Sequence, residues 1–267
     1  MSSKELLKVG EHLYVPADFA KHHYYYADAD GTKAYTGITT ILGVLAKPAL
    51  IPWAARMAVD YIRENCEERE DVGSGPAPDY VYHASEYVLE KAKSAHTRKK
   101  EEAGAHGTDA HALVEEYVNL SLANGGGPVS IGGAWGKLAP ISSFITWAVE
   151  NVDHFLFSER RMAHPELFIA GTADFAYVGK DGRRYMADFK TSGGIYGIDY
   201  WLQVAAYRLL AEAEGDEPYD GATIVRLGKD GSFEVQHLYD YETYKEAFLA
   251  CLTLYRAQAN LKGLVVH

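Results

Sequence analysis

Cysteine is scarce in this 267-residue sequence: only Cys66 and Cys251 are present, and they are far apart. A fold stapled by disulfides needs more pairs than this, so the class of small disulfide-rich domains is excluded. Two thiols are also too few for an iron–sulfur cluster that is held by four cysteines. The low cysteine content predicts a protein of the reducing cytoplasm.

Positive charge is also in short supply. Lys and Arg together number 26 against 37 Asp and Glu, a formal net charge of −11. A phosphate backbone repels an acidic chain of this kind, which argues against loose, non-specific coating of nucleic acid. A function on DNA would therefore need positive charge gathered along a groove, or metal ions that supply the missing attraction.

Long apolar runs are missing as well. No stretch reaches the length of a membrane span, and residues 1–5 contain no apolar signal core. We therefore expect a soluble protein without a membrane partner.

A hydrophobic content of 48% is enough for a sizeable core. We expect one domain over residues 1–267, with a strand-and-helix elaboration at 1–104 and the catalytic core at 105–267.

The centre of the sequence predicts a β-hairpin. Residues 172–178 and 184–191 are rich in Tyr, Phe, Val and Ala, and a turn signal at residues 180–182 separates them. A three-residue loop with Gly182 in the left-handed conformation would pair residues whose numbers sum to 362.

The segments on either side of the hairpin predict further elements: helices at 135–151, 199–214 and 241–260, and strands at 154–162, 219–227 and 233–238.

That register gathers charged side chains on one side of the hairpin. Asp174 would face Asp188, and Thr172 would face Lys190. Two facing carboxylates repel each other, and a divalent cation removes that penalty. Lys190 beside the cation could orient or deprotonate a water, or neutralise charge on a phosphate. On spacing alone, an ordinary surface ladder of Asp and Lys is an equally good interpretation.

The combined motif resembles a known family. Asp174, the triplet Asp188-Phe189-Lys190 and the helical pair Gln203 and Tyr207 resemble the P-D-(D/E)-x-K nuclease superfamily, and most closely its RecB-like branch, which includes bacteriophage recombination exonucleases. The resemblance covers residues 107–215. Ala occupies the position before the first acid, where Pro is frequent.

The resemblance implies a mixed α/β fold with a restriction-endonuclease-like core: a central sheet flanked by helices. It further implies that Asp174, Asp188 and the Phe189 carbonyl hold one or two Mg²⁺ or Mn²⁺ ions, and that Lys190 is catalytic. Gln203 and Tyr207 would lie against the site and the DNA backbone.

Two further side chains take a role from the same resemblance. His111 follows a Gly-Thr-x-x-His pattern near the start of a predicted helix and matches the family's metal-binding histidine, with Glu115 as a weaker neighbour. Glu159, on the strand before the hairpin, matches an auxiliary acid. For Glu159, a structural ion pair with Arg160 or Arg161 of a neighbouring strand is nearly as good an interpretation.

The strongest basic stretch lies earlier in the chain. A polar helix is predicted from residue 85 to about residue 103, and the glycines of residues 104–107 are expected to end it before the helix of His111 begins. Its cations are candidates for gripping a DNA backbone: Lys91, Lys93, Arg98, Lys99 and Lys100. A merely solvated helix face is equally consistent, because Glu90, Glu101 and Glu102 flank them.

These features predict a metal-dependent DNA nuclease, an exonuclease by the branch it resembles, that acts in recombination, repair or phage DNA processing. Its partners would be DNA and a single-strand annealing or recombination protein. Two alternatives stay open: a DNA end-binding or recombination-partner protein of the same fold that does not cut, and a metal-dependent hydrolase of small phosphoesters.

Overall fold

The computed structural model describes residues 6–17, 25–73, 80–130, 136–228 and 230–263. The chain divides into two compact units. One contains Met1–Leu45 together with Ala110–His267, and the other contains Ala46–Asp109. The first 45 residues therefore group with the later part of the chain, and not with the helical segment that follows them.

In chain order the strands are β1 (Leu6–Lys8), β2 (Tyr14–Pro16), β3 (Thr36–Gly37), β4 (Glu68–Asp71), β5 (Tyr80–His83), β6 (Val152–His164), β7 (Ile169–Gly179), β8 (Arg184–Lys190), β9 (Gly221–Leu227) and β10 (Phe233–Leu238). The helices are α1 (Ile38–Ile41), α2 (Leu50–Asn65), α3 (Glu86–Lys93), α4 (Ala95–Ala123), α5 (Ser142–Asn151), α6 (Ile198–Ala213) and α7 (Tyr241–Leu261). Short 3₁₀ turns lie at Leu42–Val44 and Gly136–Ile141.

The first unit is built on one mixed sheet. Its main path runs β10-β9-β8-β7-β3, and β6 pairs with β7. Strands β8 and β9 are parallel, as are β3 and β7, whereas β6–β7, β7–β8 and β9–β10 are antiparallel. Helices cover the sheet, so the predicted mixed α/β class with a central sheet flanked by helices is confirmed.

The β7–β8 hairpin has the predicted register. Phe175 pairs with Ala187 and Val178 with Arg184, so paired numbers sum to 362. Gly182 has φ +79° in the three-residue loop, as the predicted turn requires. The ladder itself ends at Phe175 and Ala187, one pair before the predicted pairing of Asp174 with Asp188.

The end of that ladder opens a gap in the sheet. β3 pairs with β7 at Ile169 and Ala170, whereas β8 pairs with it only from Phe175 onward. The described pairings therefore leave residues 171–174 of β7 without a neighbouring strand on that edge. Sheet edges that diverge in this way expose side chains and backbone groups to a ligand, and Asp174 lies at this position.

Apolar side chains fill both faces of the sheet, because they alternate along its strands. One face packs against α6 and α7 through a cluster that includes Met186, Ile224, Leu202, Leu210 and Phe248. The other packs against α5 and the later part of α4 through a cluster that includes Tyr117, Phe144, Phe175, Phe189 and Val225. The sheet is thereby fixed between two helical layers.

The prediction that residues 104–107 break the helix was wrong, because α4 runs without interruption from Ala95 to Ala123. A glycine inside a helix costs only about 1 kcal/mol relative to alanine. Burial of Val114, Tyr117 and Val118 further along α4 outweighs that cost. The single helix predicted from 85 to 103 is also wrong, since α3 ends at Lys93 and α4 begins after Ser94.

The second unit contains α2, the β4–β5 hairpin, α3 and the first part of α4. In it, β4 pairs antiparallel with β5, and the Trp53 ring lies edge-on to His96 at 6.5 Å. Across the described residues of both units, no helix has the length and apolarity that crossing a membrane requires.

Candidate metal centre and active site

The two hairpin acids lie at the gap between β7 and β8. Asp174 Oδ2 accepts a hydrogen bond from the Phe189 backbone N–H at 2.7 Å. Asp188, one residue earlier on β8, is 1% exposed, and its Oδ2 lies 2.6 Å from Lys190 Nζ. The two strands thus hold Asp174, Asp188 and Lys190 on the face that β7 and β8 share, as the alternation of side chains predicts.

Glu159 reaches the same point from β6. Ser158 pairs with Phe175 and Arg160 with Ala173, so Glu159 stands opposite Asp174. Its φ of 45° is unusual for a residue other than glycine. Backbone strain of this kind costs about 1–3 kcal/mol and concentrates at functional sites. The strained conformation keeps the Glu159 carboxylate beside Asp174.

His111 approaches from α4. Its Nδ1 lies 3.7 Å from Asp174 Oδ2, and its ring packs edge-on against Phe189 with centroids 5.0 Å apart. Each of His111, Glu159 and Asp174 offers a ligand atom, and these atoms lie within 4.8 Å of one another. An imidazole with two carboxylates is a donor set that suits Mn²⁺ or Mg²⁺.

Without a bound cation, ionisation of the carboxylates in this cluster is unfavourable. Burial, together with the charges of Asp174 and Glu115, raises the pKa of Glu159 to about 8. Burial raises the pKa of Asp188 to about 6 although Lys190 opposes the shift, and burial also raises the pKa of Asp174. Carboxylates that resist ionisation when alone are the groups that a divalent cation stabilises.

Two further observations fit a metal. Burial lowers the pKa of His111, so its imidazole is neutral and can donate a lone pair near neutral pH. Asp188 Oδ1 is buried and accepts no hydrogen bond from any described residue. Leaving such an oxygen unsatisfied costs about 1–3 kcal/mol, which a cation or an ordered water would recover. The residues present therefore fit the predicted Mg²⁺ or Mn²⁺.

Lys190 is held by α6. Its Nζ donates to Gln203 Oε1 at 3.2 Å, and Gln203 Nε2 donates to the Tyr207 hydroxyl at 2.7 Å. The Tyr200 ring lies 4.9 Å from Nζ. Burial alone would lower the pKa of Lys190, but the charges of Asp188 and Asp174 outweigh it and the pKa is raised. Lys190 is accordingly a fixed cation, which favours charge stabilisation over proton abstraction.

The Tyr207 ring can pack closely against β7 because residue 171 is glycine. A Cβ on Gly171 would come 2.9 Å from Tyr207 Cε1 and 3.0 Å from Ile38 Cγ1. Tyr207 is 4% exposed and Ile38 is 1% exposed, so neither has space to move aside. Gly171 therefore permits the close packing of α6 on β7 that places Gln203 beside Lys190.

Three residues around this face were not among the predicted site residues. The Tyr25 hydroxyl lies 2.9 Å from Thr172 Oγ1, and Arg161 pairs with Thr172 across β6 and β7. Arg226, the neighbour of Lys190 on β9, is 7% exposed and donates to Glu234 Oε2 at 3.1 Å. The parallel pairing of β8 with β9 could have indicated Arg226, whereas the role of Tyr25 depends on a contact 147 residues away in sequence.

The predicted DNA-gripping cations lie in the second unit, where neighbouring groups occupy most of them. Lys93 pairs with Glu90, and Lys99 Nζ lies 3.3 Å from Glu102. Arg98 donates to Ser94 Oγ at 2.7 Å and to the Lys91 carbonyl at 2.9 Å, which closes the α3–α4 corner. Lys91 and Lys100 are exposed. These contacts favour a solvated helix face, and a grip on DNA stays a prediction.

Comparisons with known proteins add little to this geometry. No family model and no curated protein matches the chain. A solved structure titled "Crystal structure of SSO0001" is similar over 55% of this chain and 74% of its own length, with 16% identity and a TM-score of 0.28. Any functional assignment therefore depends on the chemistry of the site.

Proposed function

We propose that this protein is a metal-dependent DNA nuclease of the P-D-(D/E)-x-K type, and that it acts as an exonuclease. One observation carries the proposal: a ligand cluster of His111, Glu159 and Asp174 adjoins the buried Asp188–Lys190 ion pair at a gap in the sheet. A histidine and several carboxylates form a donor set suited to a divalent ion, and the fixed cation beside them is suited to a phosphodiester.

The metal would be held by His111, Glu159 and Asp174, with Asp188 and the Phe189 carbonyl as further oxygen donors. A bound Mg²⁺ or Mn²⁺ supplies Lewis acidity that lowers the barrier to phosphodiester hydrolysis. Phe189 N–H donates to Asp174 Oδ2, which fixes the direction of that carboxylate. The neutral imidazole of His111 contributes a ligand without adding charge.

Lys190 supplies positive charge to the phosphate that is attacked. Asp188 and Gln203 fix its ammonium group on two sides, and Tyr207 in turn fixes the Gln203 amide. A cation that is already oriented stabilises developing negative charge without reorganisation, and a single such group is worth about 3–4 kcal/mol. Gln203 and Tyr207 are thus positioning residues for Lys190.

A second candidate, a hydrolase of small phosphoesters, is favoured by the net charge of −11. A small substrate needs only the local charge of the site, whereas a DNA backbone also meets the surrounding acidic surface. Competition separates the two candidates, because excess DNA inhibits the hydrolysis of a small phosphoester only if DNA occupies the same site.

The test is digestion of end-labelled linear DNA and of a matched closed circle, each with Mg²⁺, Mn²⁺ or EDTA. Loss of the linear form alone, dependent on the metal, supports an exonuclease, and cutting of both forms indicates an endonuclease. The Asp174→Asn variant should be inactive, whereas Asp153→Asn, which changes an acid that is 65% exposed, should retain full activity. If neither DNA is cut with either metal, the nuclease proposal fails.

A further inference from the structure

Tyr196 is an exposed aromatic side chain on the loop that joins β8 to α6. The Tyr196 side chain is 80% exposed, and Ile198, two residues later, is 55% exposed. This loop begins directly after Lys190 and ends at the helix that carries Gln203. The loop that carries this exposed ring therefore connects the strand of Lys190 to the helix of Gln203.

Two glycines shape the surface under this ring. A Cβ on Gly194 would come 2.5 Å from Tyr196 Cζ, and a Cβ on Gly193 would come 3.2 Å from its hydroxyl. The ring therefore lies close against the backbone of Gly194, where an added Cβ would overlap it in this conformation. Most of its remaining surface faces solvent.

The loop is also held in place. Ser192 Oγ donates to the Gly194 carbonyl at 2.8 Å, and Arg226 Nη1 donates to the Ser192 carbonyl at 3.3 Å. Arg226 is itself fixed by Glu234 and Ser232 at the β9–β10 hairpin. An aromatic group on an anchored loop loses little conformational freedom when a ligand packs on it.

Tyr196 lies within reach of a nucleic acid strand bound at Lys190. Tyr196 is six positions after Lys190, and a fully extended chain of that length spans at most about 22 Å. The loop is bent back on itself by the Ser192–Gly194 hydrogen bond, so the separation is shorter. Bases follow phosphates along a strand, and proteins bind unpaired bases by stacking aromatic rings on them.

We propose that Tyr196 stacks on an unpaired nucleobase of the strand whose phosphate lies at Lys190. This inference rests on the proposed nuclease function and narrows its substrate to single-stranded or frayed DNA ends. A paired base is already stacked on both faces within the duplex, so a blunt duplex offers the ring no partner without unstacking.

The proposal is tested by binding in Ca²⁺, an oxygen-binding divalent cation that can replace the charge of Mg²⁺ at the site, with the probe checked to be intact after each titration. The probes are a single-stranded oligonucleotide and a blunt duplex, both carrying 2-aminopurine near the end, and the readouts are fluorescence anisotropy and quenching. Tyr196→Ala should weaken single-strand binding at least about five-fold and abolish the quenching. Tyr196→Trp should retain both, and duplex binding should not change.

The matched control is Tyr239→Ala. Tyr239 is 53% exposed and packs near Tyr185, at the opposite end of β8 from Lys190. Its loss should leave single-strand binding unchanged. Equal single-strand affinity and quenching for Tyr196→Ala and the unaltered protein would overturn the proposal, as would failure of the protein to bind the single strand at all. Binding with quenching but no cleavage in Mg²⁺ or Mn²⁺ would instead retain the stacking site and refute the nuclease.

Discussion

Gly171→Ala tests how α6 is seated on the sheet. The added Cβ would come 2.9 Å from Tyr207 Cε1 and 3.0 Å from Ile38 Cγ1, distances below ordinary carbon–carbon contact. Both neighbours are buried, and the Tyr207 hydroxyl is tied to Gln203 at 2.7 Å. The overlap can be relieved only if the ring or the strand moves, and either movement disturbs the Gln203 contact with Lys190.

The magnitude follows from two opposing effects. Overpacking of a buried site costs about 1–3 kcal/mol. Replacing glycine by alanine at a permitted backbone conformation recovers about 0.4–1 kcal/mol, because the unfolded chain loses freedom. The net loss in the free energy of unfolding should be at most about 2.6 kcal/mol, and its middle value of about 1.3 kcal/mol lowers Tm by about 3–5 °C in a chain of this length.

The assay is urea denaturation together with DNA cleavage, and Gly43→Ala is the matched control. A Cβ on Gly43 meets nothing within 4 Å, so this variant should be as stable as the unaltered protein or slightly more stable. Gly171→Ala should lose both stability and activity. Unchanged stability for Gly171→Ala would show that Tyr207 does not pack on β7 in the manner described.

Three further outcomes are expected. Saturating Mn²⁺ should raise Tm of the unaltered protein, by the equivalent of about 2.7 kcal/mol at a hundredfold excess over Kd, and should not raise that of Asp174→Asn. Asp188→Ala and Lys190→Ala should each lower the free energy of unfolding by up to about 3–5 kcal/mol, because each leaves a buried charge without its ion-pair partner. A double-mutant cycle should show that the two losses are not additive. Burial lowers the pKa of His237, so the unfolded state binds more protons and stability should fall as pH drops through about 6.5; His237→Gln should reduce the loss measured by urea midpoints at pH 7.5 and 5.5.

The sequence alone was sufficient for the hairpin and for the main elements around it. Alternation of apolar side chains and the turn signal at Gly182 determine the β7–β8 register, and amphipathic spacing indicates α6 and α7. These features are local, so the residues that determine them lie within a few positions of one another.

Other features depend on packing between distant residues and could not be predicted in this way. Burial of Tyr117 and its neighbours keeps α4 continuous, although the glycines at 104 and 107 predict a break. The position of Glu159 beside Asp174 depends on two register shifts in β6 and on a left-handed backbone. The predicted roles of the site residues themselves remain predictions.

The most direct test of the central claim compares phosphodiester cleavage by the unaltered protein, Asp174→Asn and Asp153→Asn on one end-labelled linear DNA in Mn²⁺, with far-ultraviolet circular dichroism as a check of folding. Metal-dependent cleavage by the unaltered protein and by Asp153→Asn, with none by a folded Asp174→Asn, is the predicted result. Equal cleavage by all three proteins would contradict the account, because the activity would not arise from this site.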